Sequence, residues 1–256
     1  MLLGVWVFRP MTINPWFRRD LHFHHHRVSG TKTDLEERGL TNGENWSFRR
    51  LMTITDLLFG GILRGKTIRR DVIDAVKRGE LSKEQALNFK KIKMYGMMPF
   101  TLFLYLVWYF FLIHYAVQFA AHFLHLGYES PAIIQAQFKW INPLVVILIL
   151  PNLLRMFCLH FITSNMHYYG DVESGNVMQQ TQVLNKWYFI PFQFFCFNFG
   201  STHAIHHFVV NETFYIRQFT ATKAHLVMRA QGVRFNDLGT FKRANRFYKS
   251  AEIKLA

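Results

Sequence analysis

The chain has 256 residues, half of them hydrophobic and 27 of them phenylalanine, yet its formal net charge is +14. The length would suit one or two soluble domains, but such apolarity beside such charge points elsewhere, and two cysteines without metal spacing suggest no disulfide framework. The charge is segregated: residues 1–96 carry 18 Lys and Arg with 10 Asp and Glu, residues 97–215 three with four, and residues 216–256 nine with two.

In chain order, MLLGVWVF lacks the basic leader of a cleavable signal peptide and runs into Arg9 and Pro10. HFHHH, residues 22–26, follows; its phenylalanine and its flanks distinguish it from a purification tag. Within it His22, His25 and His26 form H-x-x-H-H. Residues three and four apart share a helix face, so these three imidazoles can aim at one point while His24 points elsewhere. TDLEERGLTNGENW, residues 33–46, reads as a solvated cap. Residues 66–93 read as an amphipathic helical pair broken at Gly79, and neither stretch is assigned a catalytic role.

Two stretches can cross a bilayer. Residues 98–126 contain no Lys, Arg, Asp or Glu, and as a helix they reach about 43 Å, against about 30 Å of hydrocarbon. Residues 142–163 reach about 33 Å with only Arg155 charged, with Pro143 in the first turn and Pro151 at a kink. The expected architecture is an all-α integral membrane protein: a transmembrane hairpin, joined by residues 127–140, carrying a helical cap. Both outer segments are basic, so the positive-inside rule puts them together on the cytoplasmic side. FIPFQFFCFNF, residues 189–199, is too short to span and is expected to lie in the interface or to re-enter. The basic C-terminal run RFNDLGTFKRANRFYK alternates with aromatics but carries no nucleic-acid recognition motif, and beside a hairpin it suits anionic headgroups or an acidic partner.

The 13 histidines carry the chemistry. A second H-x-x-H-H is formed by His203, His206 and His207, and His160 and His167 stand at the hairpin exit. On the topology above, all these groups lie on one side of the membrane. Two boxes and His167 offer seven nitrogens, more than the four of a tetrahedral zinc site, so two metal ions are expected to share them. Imidazole alone does not choose among zinc, copper, nickel and iron. His160, seven positions before His167, shares its face on a continuous helix, whereas Asn165 would face the site only if the helix unwound. His114, His122 and His125 lie in the first span and read as packing or interfacial groups. Asp171 and Glu212 lie where a carboxylate could orient a ligand ring, but read as loop charges.

LHFHHHR and STHAIHHF resemble the second and third histidine boxes of the membrane-bound fatty acid desaturase and hydroxylase superfamily, and SNMHYYGD resembles the additional histidine motif of its alkane-hydroxylase relatives. The resemblance runs from about residue 14 to residue 218. It implies two iron ions held by His22, His25, His26, His167, His203, His206 and His207, with His160 as a further candidate. It implies molecular oxygen as co-substrate, an acyl substrate carried on coenzyme A, carrier protein or lipid, and a separate electron donor such as ferredoxin, rubredoxin or cytochrome b5. The implied reaction is desaturation of an acyl chain, with hydroxylation as the family's other outcome. A membrane metal transporter and an inactive fragment are the competing classes. The family also places a first box, H-x-x-x-H, and two helices before the second box, whereas residues 1–21 hold no histidine; the chain is therefore expected to be an N-terminally incomplete member.

Overall fold

The structure, a computed structural model, describes residues 9–36, 51, 54–55, 58–59, 62–169 and 171–241. The MLLGVWVF leader, most of the 33–46 stretch and the basic tail from residue 242 onward lie outside the described residues. In chain order come helices α1 (Pro15–Val28), α2 (Ile62–Lys77), α3 (Lys83–Tyr95), α4 (Phe100–Phe123) and α5 (Ala132–Leu144), the last continuing through a π-helical segment (Val145–Ile149) into α6 (Leu150–Met166). After these come the short α7 (Val177–Gln180), strand β1 (Gln182–Val183), a 3-10 turn (Trp187–Phe189), α8 (Ile190–Phe195), α9 (Phe199–Phe208), α10 (Phe214–Ala230), strand β2 (Arg234–Phe235) and a closing 3-10 turn (Leu238–Phe241). The chain is mostly helical, as expected. β1 and β2 add a parallel pair that composition did not announce, with Gln182 opposite Arg234 and Val183 opposite Phe235.

Local chemistry sets the helix limits. The predicted break at Gly79 is a Schellman ending: Gly79 has φ +72, its N–H donates to Val76, and the Glu80 N–H donates to Ala75. Helix α3 then opens on a capping box, in which the Gln85 N–H donates to Ser82 Oγ and the Ser82 N–H donates to Gln85 Oε1. Helix α4 ends the same way as α2, with His125 at φ +54 and the Leu126 N–H donating to Ala121. His125 is thus a helix terminator.

One compact unit holds residues 1–18 and 90–154. Thr101 Oγ1 donates to the Pro10 carbonyl at 2.6 Å, and the Asn14 N–H donates to the Gly96 carbonyl at 2.7 Å. His114 stacks on Phe138 at 3.7 Å between centroids, in keeping with a packing role. Residues 100–123 and 132–166 form two helices long and apolar enough to cross a membrane, yet no more than 33% of the most apolar stretch of either is buried. The core helix of a soluble protein would be mostly buried; here Phe119 and Ile147 are more than 70% exposed.

The second of these helices departs from the sequence expectation. It starts at Ala132, not at 142, because Pro131 turns the chain and accepts from the Ile134 and Gln135 N–H groups, after which AIIQAQFKW contains no breaker. Only residues 124–131 connect the two helices, and Pro143 lies inside the helix. The expected irregularity at Pro151 takes the form of the π-helical segment just before it, closed by the Leu150 N–H donating to Val145. Such a widened turn relieves the clash between a proline ring and the carbonyl four residues earlier.

The other unit holds residues 19–89 and 155–256, and three small apolar cores within it fix the histidine-bearing segments. Leu21 of α1 packs with Leu35, Val72, Ala75, Leu81 and Phe89. Ile162 and Met166 of α6 pack with Leu184, Phe189 and Cys196. Ala204 and Ile205 of α9 pack with Val183, Met228 and Val233. Residues 189–199 break into the short α8 and a turn in which Phe197 and Asn198 both adopt positive φ. Phe189 and Cys196 face inward there, while Phe194 is 79% exposed.

Candidate metal centre

Both histidine boxes lie on helices, and each presents three imidazoles on one face. The His22–His26 box sits in the last two turns of α1, the His203–His207 box on α9. Gly200 makes the approach of α9 possible: its N-terminal turn lies so close to β1's exit that a Cβ there would meet the Leu184 carbonyl at 2.9 Å. Gln193 locks the turn, donating through Nε2 to Leu184 and accepting the Ser201 N–H.

The seven histidines expected at the site fall into two adjoining groups. His25, His167, His203 and His207 are all buried, and His22, His26 and His206 are partly exposed; within each group the ligand-type nitrogens lie within 4.8 Å of one another. In the buried group His203 Nε2 lies 2.9 Å from His167 Nε2 and 3.1 Å from His207 Nε2. In the second group the three Nε2 atoms form a triangle with sides of 2.9, 3.1 and 3.2 Å. The groups touch: the rings of His26 and His207 are 4.5 Å apart.

This triangle cannot be satisfied by hydrogen bonds. A ring nitrogen either carries a proton and donates or has a lone pair and accepts, so in any triangle of three such atoms at least one pair is matched donor to donor or acceptor to acceptor. A single cation at the common focus would satisfy all three lone pairs. The donor set therefore fits transition-metal ions, four nitrogens in one group and three in the other.

In four of the seven rings an oxygen faces the remote nitrogen, Nδ1, which leaves Nε2 bare. His25 Nδ1 donates to Asp34 Oδ2 at 2.9 Å, and His22 Nδ1 donates to Glu36 Oε2 at 2.9 Å. His207 Nδ1 faces Gln180 Oε1 at 3.2 Å, and His167 Nδ1 faces the Thr163 carbonyl at 3.4 Å. Oxygen acceptors at Nδ1 select the tautomer whose Nε2 can bind metal. Asp34 is itself anchored, accepting the Gly30 N–H on Oδ2 and the Glu36 N–H on Oδ1. Gly30 doubles the chain back from α1 at φ +80, against the Tyr168 carbonyl, where a Cβ would lie at 2.8 Å.

Burial keeps the rings neutral. Desolvation, reinforced by neighbouring imidazoles, pushes His26 and His167 down to about 3 and His206 to about 2, and holds His203 and His207 well below the usual histidine range. The Arg217 guanidinium on α10 adds to the depression at His26 and His206. Neutral imidazole is the ligand form.

The structure brings together His22, His25, His26, His167, His203, His206 and His207. It leaves His160 out of both groups. The reason is local: the helix ends at Met166, and His167 pairs as a bridge residue with Thr181, so the seven-residue spacing no longer returns to the same face. Asn165 stays helical and donates to the Phe161 carbonyl at 2.6 Å. His24 turns away, toward the Thr33 carbonyl. Sequence reasoning missed Asp34 and Glu36, reading their stretch as a solvated cap; the carboxylates it considered, Asp171 and Glu212, it read as loop charges. The available signal was D-x-E following a Ser-Gly turn at the end of the box helix.

These features define a helical protein with a paired polyhistidine group and two largely uncovered apolar helices. The model of the fatty acid desaturase family matches residues 1–239, and the chain belongs to that family. No curated protein and no solved structure matches it.

Proposed function

We propose that this chain is an oxygen-dependent di-iron desaturase that introduces a double bond into an acyl chain. The observation that carries the reading is the pair of adjoining histidine groups in a member of the desaturase family. Two iron ions, when bound, supply oxygen-dependent removal of hydrogen from an unactivated C–H bond. The chain's own residues do the rest. His25, His167, His203 and His207 would hold one ion in a dry cage and His22, His26 and His206 the other, while Asp34 and Glu36 fix the ring orientation of His25 and His22. Low basicity of the buried rings keeps protons from displacing the metal near neutral pH.

The same reading places α4 and the continuous α5–α6 helix across the bilayer as a two-pass hairpin, with both basic flanks and the boxes on the cytoplasmic side. The 189–199 segment, with Phe194 and Trp187 exposed, would lie in the interface. The acyl substrate, on coenzyme A, carrier protein or lipid, would enter from the hydrocarbon, and a separate ferredoxin, rubredoxin or cytochrome b5 would supply electrons. Expression of the whole chain in a host lacking desaturases, with product analysis by mass spectrometry and metal analysis of the purified protein, tests this. An alkene product and two irons per chain are expected from the two groups. A hydroxylated product would move the chain to the family's other chemistry, and zinc at the site would overturn the di-iron reading.

A further inference from the structure

Helix α2 is amphipathic, and its apolar side is already used. Val72 and Ala75 are buried, and Ile68 and Val76 pack beside them against Leu21, Leu35, Leu81 and Phe89. Its outward face carries Lys66, Arg69, Arg70 and Lys77, with Ile73 and Asp74 among them, around a shallow groove of about 470 Å³. Positions 66, 69, 70, 73 and 77 fall on one helix face, a stripe about 17 Å long. Lys77 pairs with Asp74 at 3.3 Å. Among the described residues, Lys66, Arg69 and Arg70 have no acidic partner.

The place of this stripe in the fold is informative. The cluster in which α2 packs includes Leu21 and Leu35. Leu21 directly precedes His22, and Leu35 lies between Asp34 and Glu36, the carboxylates on His25 and His22. The cationic face is therefore roughly one helix diameter, about 10 Å, beyond the helix that carries the first box. The second histidine group, served by that helix, is also the more exposed one.

We propose that the outward face of α2 is the docking surface for an acidic single-electron carrier protein. This rests on the desaturase reading, whose balance requires such a partner: R–CH2–CH2–R′ + O2 + 2 e⁻ + 2 H⁺ gives R–CH=CH–R′ + 2 H2O. The acyl chain is oxidised by two electrons and the carrier by two more, delivered singly, while oxygen is reduced to water. An anionic membrane surface is the competing occupant for a basic helix, but membrane-lying helices insert an apolar face carrying bulky side chains. On α2 that face packs in protein at Ile68, Val72, Ala75 and Val76, and among the described side chains of the helix the outward side offers only Ile73. Outside the two apolar helices, the most exposed aromatics among the described residues are Trp187, Phe194 and Phe219, none of them on α2.

The test uses the full chain in nanodiscs, with an acidic [2Fe–2S] ferredoxin and the acidic haem domain of cytochrome b5 as probes. Wild-type protein is compared with the fourfold variant K66E/R69E/R70E/K77E. Association is measured by surface plasmon resonance across ionic strength, on metal-free and iron-loaded protein. The expected result is binding of at least one carrier that weakens with salt and falls about 10- to 1000-fold in the variant, with an equal fall in carrier-dependent iron reduction. Reduction by dithionite stays unchanged, which separates a docking defect from damage to the centre. Binding of neither carrier, or equal binding by wild type and variant, overturns the proposal. A defect confined to nanodiscs containing anionic lipid also overturns it, in favour of a membrane-facing role. Because carrier association is read on metal-free protein, failure of iron chemistry alone would count against the desaturase reading and not against docking.

Discussion

Replacing Asp34 by asparagine isolates what the buried carboxylate does for the metal centre. Asp34 is fully buried and accepts from three donors, the His25 ring, the Gly30 N–H and the Glu36 N–H. Asparagine keeps the shape but has only one oxygen. If that oxygen faces His25, the new NH2 group meets the Glu36 N–H; if it faces Glu36, the NH2 meets the His25 ring at 2.9 Å. In the second orientation His25 must accept at Nδ1, which drives its proton to Nε2 and into the four-histidine group. Losing one charge-assisted hydrogen bond costs about 1.5–3 kcal/mol, and comparable outer-shell changes lower metal affinity about 10- to 100-fold. The expected outcome for D34N is therefore a loss of about 10- to 100-fold in affinity at the buried group, measured by chelator competition on the solubilised chain. In a His25→Ala background the same substitution should add less than about threefold, because its route to the metal is gone. Undiminished affinity in D34N, or a full second loss in the double variant, would refute the orienting role.

The other predictions concern the ligand set and acid. His160→Ala should leave metal content unchanged, whereas His207→Ala should empty or weaken the buried group; equal loss in both variants would contradict the separation of His160 from the centre. Metal-free protein should lose stability as pH falls below about 6.5. His167, His203 and His207 are fully buried and bind protons less readily folded than unfolded, so their contribution is complete above pH 6.5 and is lost toward pH 3 and below. The limiting slope is about 1.4 kcal/mol per pH unit for each ring. Denaturation midpoints between pH 7.5 and 4.5 check this, and a flat profile would contradict it.

The clustering of the two triplets was legible because a helix face is a strong rule: H-x-x-H-H aims three rings at one point whatever surrounds it. His167 was legible from its place at the hairpin exit and from the family likeness, although its exact position depends on a bridge to Thr181 that no local pattern encodes. The same non-local pairing misled the sequence reading of His160. Asp34 and Glu36 were lost because charged residues in a Gly-containing stretch ordinarily face water, and only the turn at Gly30 returns them to α1. The start of the second long helix was misplaced for a related reason. Hydropathy marks where a helix is apolar, whereas Pro131 marks where it starts.

The contacts between His22 and His206 and between His26 and His206 join positions 184 and 180 residues apart. At roughly 5–20 residues per second of synthesis, the first box waits about 10–40 s on the ribosome before its partner exists. During that interval its three imidazoles form a small chelating helix open to whatever divalent ion is most avid, and the Irving–Williams order favours copper and zinc over iron. If the proposed iron site is to load correctly, timing matters: the full set of seven histidines is assembled only when α9 emerges, so an ion taken up early must still be able to leave.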